Sequence, residues 1–220
     1  MKLEEIIQNE KNQILVPSVT LRRGERLLVL LGMLHVATQH FFKIILSRLE
    51  TCENAGFLVL YEEVEGIPSA EKSKLDMLFK GLQKYNLYSQ LDCILPRSSW
   101  KSADCVDQLI ENDTGAGVAQ DEGNDEDMND PKKYICNILL PQLENPIQNI
   151  PNFEVVINQR NQFAVNIILS YVEKNNVVSF WGCAHLPGMI NLLEQAGFKL
   201  ENIEWNKALD VGELKKLLKI

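Results

Sequence analysis

RLLVLLGMLH (residues 26–35) and VVSFWGCAH (residues 177–185) decide the fold. Each is an apolar run, as expected of a strand covered on both faces, and each ends in Gly-x-x-His. A helix then follows. After the first turn, Phe41, Phe42, Ile45, Leu46 and Leu49 fall at helical spacing between Thr38 and Asn54; after the second, Leu186–Ala196 reads as a helix. Both helices close on Ala-Gly-Phe, in ENAGF (53–57) and EQAGF (194–198), with Gly56 and Gly197 as C-terminal stops before another strand. With 12 Gly and 3 His in 220 positions, chance gives about 0.2 Gly-x-x-His matches, so two at strand-to-helix junctions mark a duplicated strand–turn–helix unit.

Outward from these units, Val19–Leu21 and Arg26–Leu31 flank a turn containing Gly24 and read as paired strands. Phe57–Tyr61 is an apolar strand running into Glu62 and Glu63. Glu71–Tyr88 reads as a helix, Cys93–Leu95 as a short strand before Pro96, and Phe153–Lys174 as a long helix with Val156, Phe163, Ile167 and Tyr171 on its apolar stripe. Phe198–Trp205 is an edge-like strand and Val211–Leu218 a last helix. The fold class is α/β: one domain over residues 1–220, a central mixed sheet with helices on both faces, interrupted by a flexible acidic insertion at 111–133.

That insertion explains the charge. The formal net charge is −8, yet residues 111–130 hold eight acidic side chains and no basic one, so the rest of the chain is close to neutral. Nothing in it resembles the clustered Lys and Arg that phosphate backbones require, which excludes nucleic acid as a general partner. An EF-hand is excluded as well, because the sixth position from Asp121 is Glu126 instead of glycine. The five cysteines (Cys52, Cys93, Cys105, Cys136, Cys183) show no paired spacing, and the polar start MKLEEIIQNEK is no signal peptide. They read as free thiols of a cytoplasmic protein. The longest apolar run is too short for a membrane.

The chemistry gathers on the repeated turns. Carboxyl ends of strands are where α/β proteins bind ligands, and a glycine there permits a sharp exit while the histidine projects over the sheet edge. His40, outside any motif, reads as structural.

The stretches 32–66 and 157–198 resemble the two halves of the TraB/GumN-type family, which is related to the Tiki metallopeptidases and, more distantly, to erythromycin esterases and a haem-binding lipoprotein class. The features that carry the resemblance are an early G-x-x-H, a strand-terminal Glu, an E-R-[DN] triplet on a helix, and a late G-[AC]-[AG]-H-[LV]-P-G. They fall here on Gly32 and His35, on Glu62, on Arg160 and Asn161, and on Gly182, His185, Pro187 and Gly188. The match runs from about Leu15 to Trp205 and leaves the acidic segment outside. Gln159 stands where the triplet has Glu, which implies a weakened or inactive site if that carboxylate holds a metal or orients the arginine.

Two histidines and a carboxylate are a common metal-holding set that leaves room for water. His35, His185 and Glu62 would hold Mn²⁺, Co²⁺ or Zn²⁺, with Arg160 stabilising an oxyanion or fixing a substrate carboxylate. The metal-free alternative has Glu62 or a histidine as general base on water. Glu63 is expected in solvent. Cys183 reads as a core residue rather than a nucleophile, and Asp104, four residues after Trp100, as a weaker site candidate with a helix-capping role equally open. The expectation is a hydrolase, peptidase-like, acting on a small molecule or peptide, or else a ligand-binding member without turnover. The tips of His35, Glu62, Arg160 and His185 should then meet in one pocket, both imidazoles on one sheet edge and close enough to share an ion.

Overall fold

The computed structural model describes residues 8–10, 12–63, 69–104, 127, 129–144 and 153–220. The acidic run from 111 to 126 lies outside them. The sheet has seven strands: β1 (Gln8–Glu10), β2 (Gln13–Arg23), β3 (Arg26–Met33), β5 (Leu58–Tyr61), β7 (Lys101–Ser102), β8 (Val177–Gly182) and β9 (Lys199–Asp210), while β4 (Val36–Ala37) and β6 (Tyr88–Ser89) form a separate antiparallel pair. The main order is β1-β2-β3-β8-β5-β7, with β9 also on β2. It is mixed: β1, β3 and β9 run antiparallel to β2, whereas β3, β8, β5 and β7 are parallel neighbours.

The hairpin β2–β3 turns through Gly24 and Glu25, with Arg23 opposite Arg26 and Gly24 at φ +59°. Helix α1 (Gln39–Asn54) starts where Thr38 accepts a bond from the Phe41 N–H, buries Phe41, Phe42, Ile45 and Leu49, and gives way at Gly56 with φ +81°. In β8 every residue from Val177 to Trp181 is buried, as a strand covered on both faces requires.

Chain direction explains the cover. From β3 the chain crosses through α1 to β5 on one side of β8; from β8 it crosses through α7 (Leu186–Gln195) to β9, beyond β2 on the other side. Both crossovers join parallel strands, and crossovers of the usual right hand that travel in opposite directions lie on opposite faces. β3 and β8 therefore form a topological switch point, the place where open α/β sheets form a crevice at their carboxyl edge. Both Gly-x-x-His turns sit there.

Several elements differ from the sequence reading. Cys93 ends a short helix, α3 (Gln90–Cys93), and Ile94 and Leu95 belong to no strand; the edge strand is Lys101–Ser102. Lys132 and Lys133 leave the acidic loop for a helix, α4 (Pro131–Tyr134), capped by Asp130, which continues through a π turn (Ile135–Leu139) into α5 (Leu140–Glu144). Its Ile135, Leu139, Leu140 and Leu143 join Leu78 and Leu82 of α2 (Ser69–Leu82) and Leu214 and Leu218 of α8 (Val211–Leu218) in a second apolar cluster. In α6 (Phe153–Val172) the helical period holds but the phase shifts. The buried stripe is Asn161, Val165, Ile168 and Val172 with Ala164, whereas Phe163, Ile167 and Tyr171 are half-buried flanks. A buried polar residue, Asn161, within the stripe disguised it. Among the described residues no helix is long and apolar enough to cross a membrane.

Candidate functional site

Four adjacent parallel strands each deliver one polar side chain just past their carboxyl ends: His35 after β3, His185 after β8, Glu62 after β5 and Asp104 after β7. Register sets this row, since Met33 lies beside Gly182 and Tyr61 beside Phe180 and Ser102. The Glu62 N–H extends the ladder by donating to the Phe180 carbonyl. Glu62, the strand-terminal carboxylate, is 5% exposed and paired at both oxygens. Oε2 accepts from the Gly182 N–H at 2.6 Å, and Oε1 meets Arg160 Nη2 at 2.7 Å and His185 Nε2 at 3.4 Å.

Glycine at 182 permits that contact. A Cβ there would lie 3.2 Å from Glu62 Oε2. Burial works against ionisation of Glu62, but the hydrogen bond and charge of His185, with the charges of His35 and Arg160, outweigh it and hold the carboxyl well below its usual range.

Arg160 reaches across from α6 and bridges two carboxylates, Glu62 and Asp104, whose side chain is fully buried, through Nη2 and Nε. Burial disfavours its charge, yet the Asp104 hydrogen bond and the two carboxylates keep it even more firmly protonated than usual. Its guanidinium is neutralised from within the protein. One residue on, Asn161 Oδ1 lies 2.7 Å from His185 Nδ1. Asn161 Nδ2 is buried without a partner, and a Cβ on Gly188 would stand 2.2 Å from it. Gly188 thus leaves the space in which Asn161 holds His185. The ring of His185, 3% exposed, also packs edge-on against Trp181 at 5.3 Å.

His35 is placed differently. It is exposed, and its Nδ1 lies 3.3 Å from Gln90 Oε1. The sheet edge is shared with His185, and Glu62 senses the His35 charge, but the direct cluster comprises Glu62, Arg160, Asp104, His185 and Asn161. The described residues contain no group of three His, Cys, Asp or Glu side chains placed to hold a metal ion. Mn²⁺, Co²⁺ or Zn²⁺ on His35, His185 and Glu62 does not fit this arrangement, because both ring nitrogens of His185 and both oxygens of Glu62 are already committed. A guanidinium occupies the counter-charge position beside the carboxylate.

Burial bears on four further residues. Gln159 is exposed on α6, so a carboxylate there would face solvent rather than Arg160. Cys183 is buried and its thiol is pushed up to about 12 by desolvation, which leaves no thiolate for nucleophilic attack. Glu63 is half-buried and accepts from Ser102 Oγ at 2.8 Å instead of standing in solvent, and His40, second residue of α1, is exposed.

Asp104 is stronger than its sequence context suggested, and Gln90 carries no sequence signal at all. Compared with protein-family models, curated proteins and solved structures, the chain matches none.

Proposed function

We propose that this chain is a hydrolase of uncharged ester or amide bonds that works by side-chain acid–base chemistry, with His35 as the general base on water. The observation that carries this reading is the contrast at one sheet edge: Glu62 is saturated by Arg160, His185 and the Gly182 N–H, while His35 is exposed just past the carboxyl end of β3. The charge of His35 is in turn among those that hold Glu62 ionised. The fixed network supplies preorganised electrostatics, since its groups need not reorient during reaction. The resemblance to the TraB/GumN-type family, with erythromycin esterases among its distant relatives, supports hydrolysis as the reaction class. The substrate would be a small molecule or peptide.

A second reading, a ligand-binding member without turnover, is favoured by the pairing of both Glu62 oxygens and of Arg160 Nε and Nη2 within the protein. The test is a panel of nitrophenyl esters and peptide amides, run on protein purified without a metal-binding tag, with and without chelator, beside elemental analysis. The expected result is chelator-resistant turnover that His35→Ala abolishes. One metal per chain with chelator-sensitive turnover would instead restore a metal triad, and ligand-induced stabilisation without turnover would favour the binding protein.

A further inference from the structure

Resting on His35 as the base, we infer that Gln90 is a positioning residue that fixes the His35 tautomer, holding the proton on Nδ1 and leaving the Nε2 lone pair to accept one from water. The two residues lie 55 positions apart, but the small β4–β6 ladder makes them neighbours. Val36 pairs with Ser89 and Ala37 with Tyr88 in antiparallel register, so the next pair is His35 opposite Gln90. The Gln90 N–H donates to the His35 carbonyl at 2.8 Å, which carries the ladder one residue further. Directly opposed residues in an antiparallel pair place their side chains side by side on one face. The side chains duly meet, with Gln90 Oε1 3.3 Å from His35 Nδ1.

The anchor is buried where the histidine is exposed. Gln90 is 5% exposed and opens α3, whose start is capped by Ser89 Oγ accepting from the Leu91 N–H, and its own carbonyl accepts from the Ile94 N–H at 2.8 Å. A long amide at a buried helix start needs a partner to offset its desolvation, and the ring nitrogen supplies it. An amide oxygen only accepts, so the nitrogen facing it must carry the hydrogen. The proton on a neutral imidazole is thereby confined to Nδ1, and the exposed ring keeps Nε2 as its basic nitrogen. Orienting groups act on catalytic and metal-binding histidines in the same way.

The test reads the ring directly. Long-range ¹H–¹⁵N spectra of the full chain, with His35 assigned by its loss in His35→Ala, should show the Nδ1–H tautomer in the wild type. Gln90→Met should move the ring towards the Nε2–H form that free imidazole side chains prefer. Gln90→Glu, whose carboxylate also only accepts, should retain Nδ1–H. In the ester assay Gln90→Met should lower kcat by about 10–100-fold with little change in KM, and Gln90→Glu should recover most of it. A wild-type ring already in the Nε2–H form would overturn the inference without any variant. So would an unchanged tautomer in a folded Gln90→Met protein. A tautomer that switches as described while turnover stays constant would confirm the clamp and remove His35 from the role of base, so the two readings fail separately.

Discussion

The two Gly-x-x-His turns share a motif, a sheet edge and neighbouring parallel strands, yet the fold treats them in opposite ways. His185 is buried, with Asn161 at one ring nitrogen and Glu62 at the other, and it passes straight into α7. His35 is exposed, and is followed by a two-residue strand whose partner brings in Gln90. Their glycines differ as well. A Cβ on Gly32 would stand 2.8 Å from the Pro17 carbonyl oxygen and 2.8 Å from Val16, so that glycine admits a neighbouring strand; Gly182 admits a carboxylate. The motif dictates where a histidine leaves the sheet. Burial and partners decide what it becomes, one turn part of a charge network and the other a group open to solvent.

The comparison breaks most sharply at Arg160. Arg160→Met leaves Glu62 and Asp104 buried without their shared counter-charge, and removing one member of a buried ionic network costs about 3–5 kcal/mol. Urea unfolding at pH 7 should show that loss as a lower midpoint, and a midpoint unchanged from wild type would mean the network carries no stability. Next come the histidines themselves. His185→Ala removes a hydrogen-bonded ring facing a carboxylate and should cost about 2–3 kcal/mol, whereas His35→Ala should stay within about 0.5 kcal/mol while ending turnover. Equal thermal shifts in the two variants would erase the distinction between the turns.

The glycines sharpen it further. Gly32→Ala forces a methyl against backbone and should cost about 1–3 kcal/mol, because a carbonyl held in a strand cannot give way. Gly182→Ala meets only the end of a side chain, so its smaller stability loss should be accompanied by a larger change in turnover.

The smallest effect belongs to Cys183, beside His185 but chemically inert. With its thiol raised to about 12, the folded chain keeps the proton while the unfolded one releases it above an ordinary thiol pKa of about 8.5. The contribution to stability is therefore intact at neutral pH and declines as pH rises from about 8.5 towards the folded value. A maleimide at pH 7 should label Cys183 only after denaturant is added.

Much of this was legible in the sequence. Strand-like apolar runs, helical spacing after each turn and glycine stops are local patterns, and they placed β3, β8, α1 and α7 and the ends from which His35, Glu62 and His185 emerge. The long helix α6 was legible in period but not in phase, because the polar Asn161 occupies a buried position of its stripe and polar residues do not announce burial. Only tertiary structure could decide the rest. Strand order and register are long-range pairings, and they alone set Asp104 beside Arg160 and Gln90 opposite His35. Solvent exposure is likewise a property of the packed chain, so two histidines in the same local sequence frame received different chemistry from their surroundings.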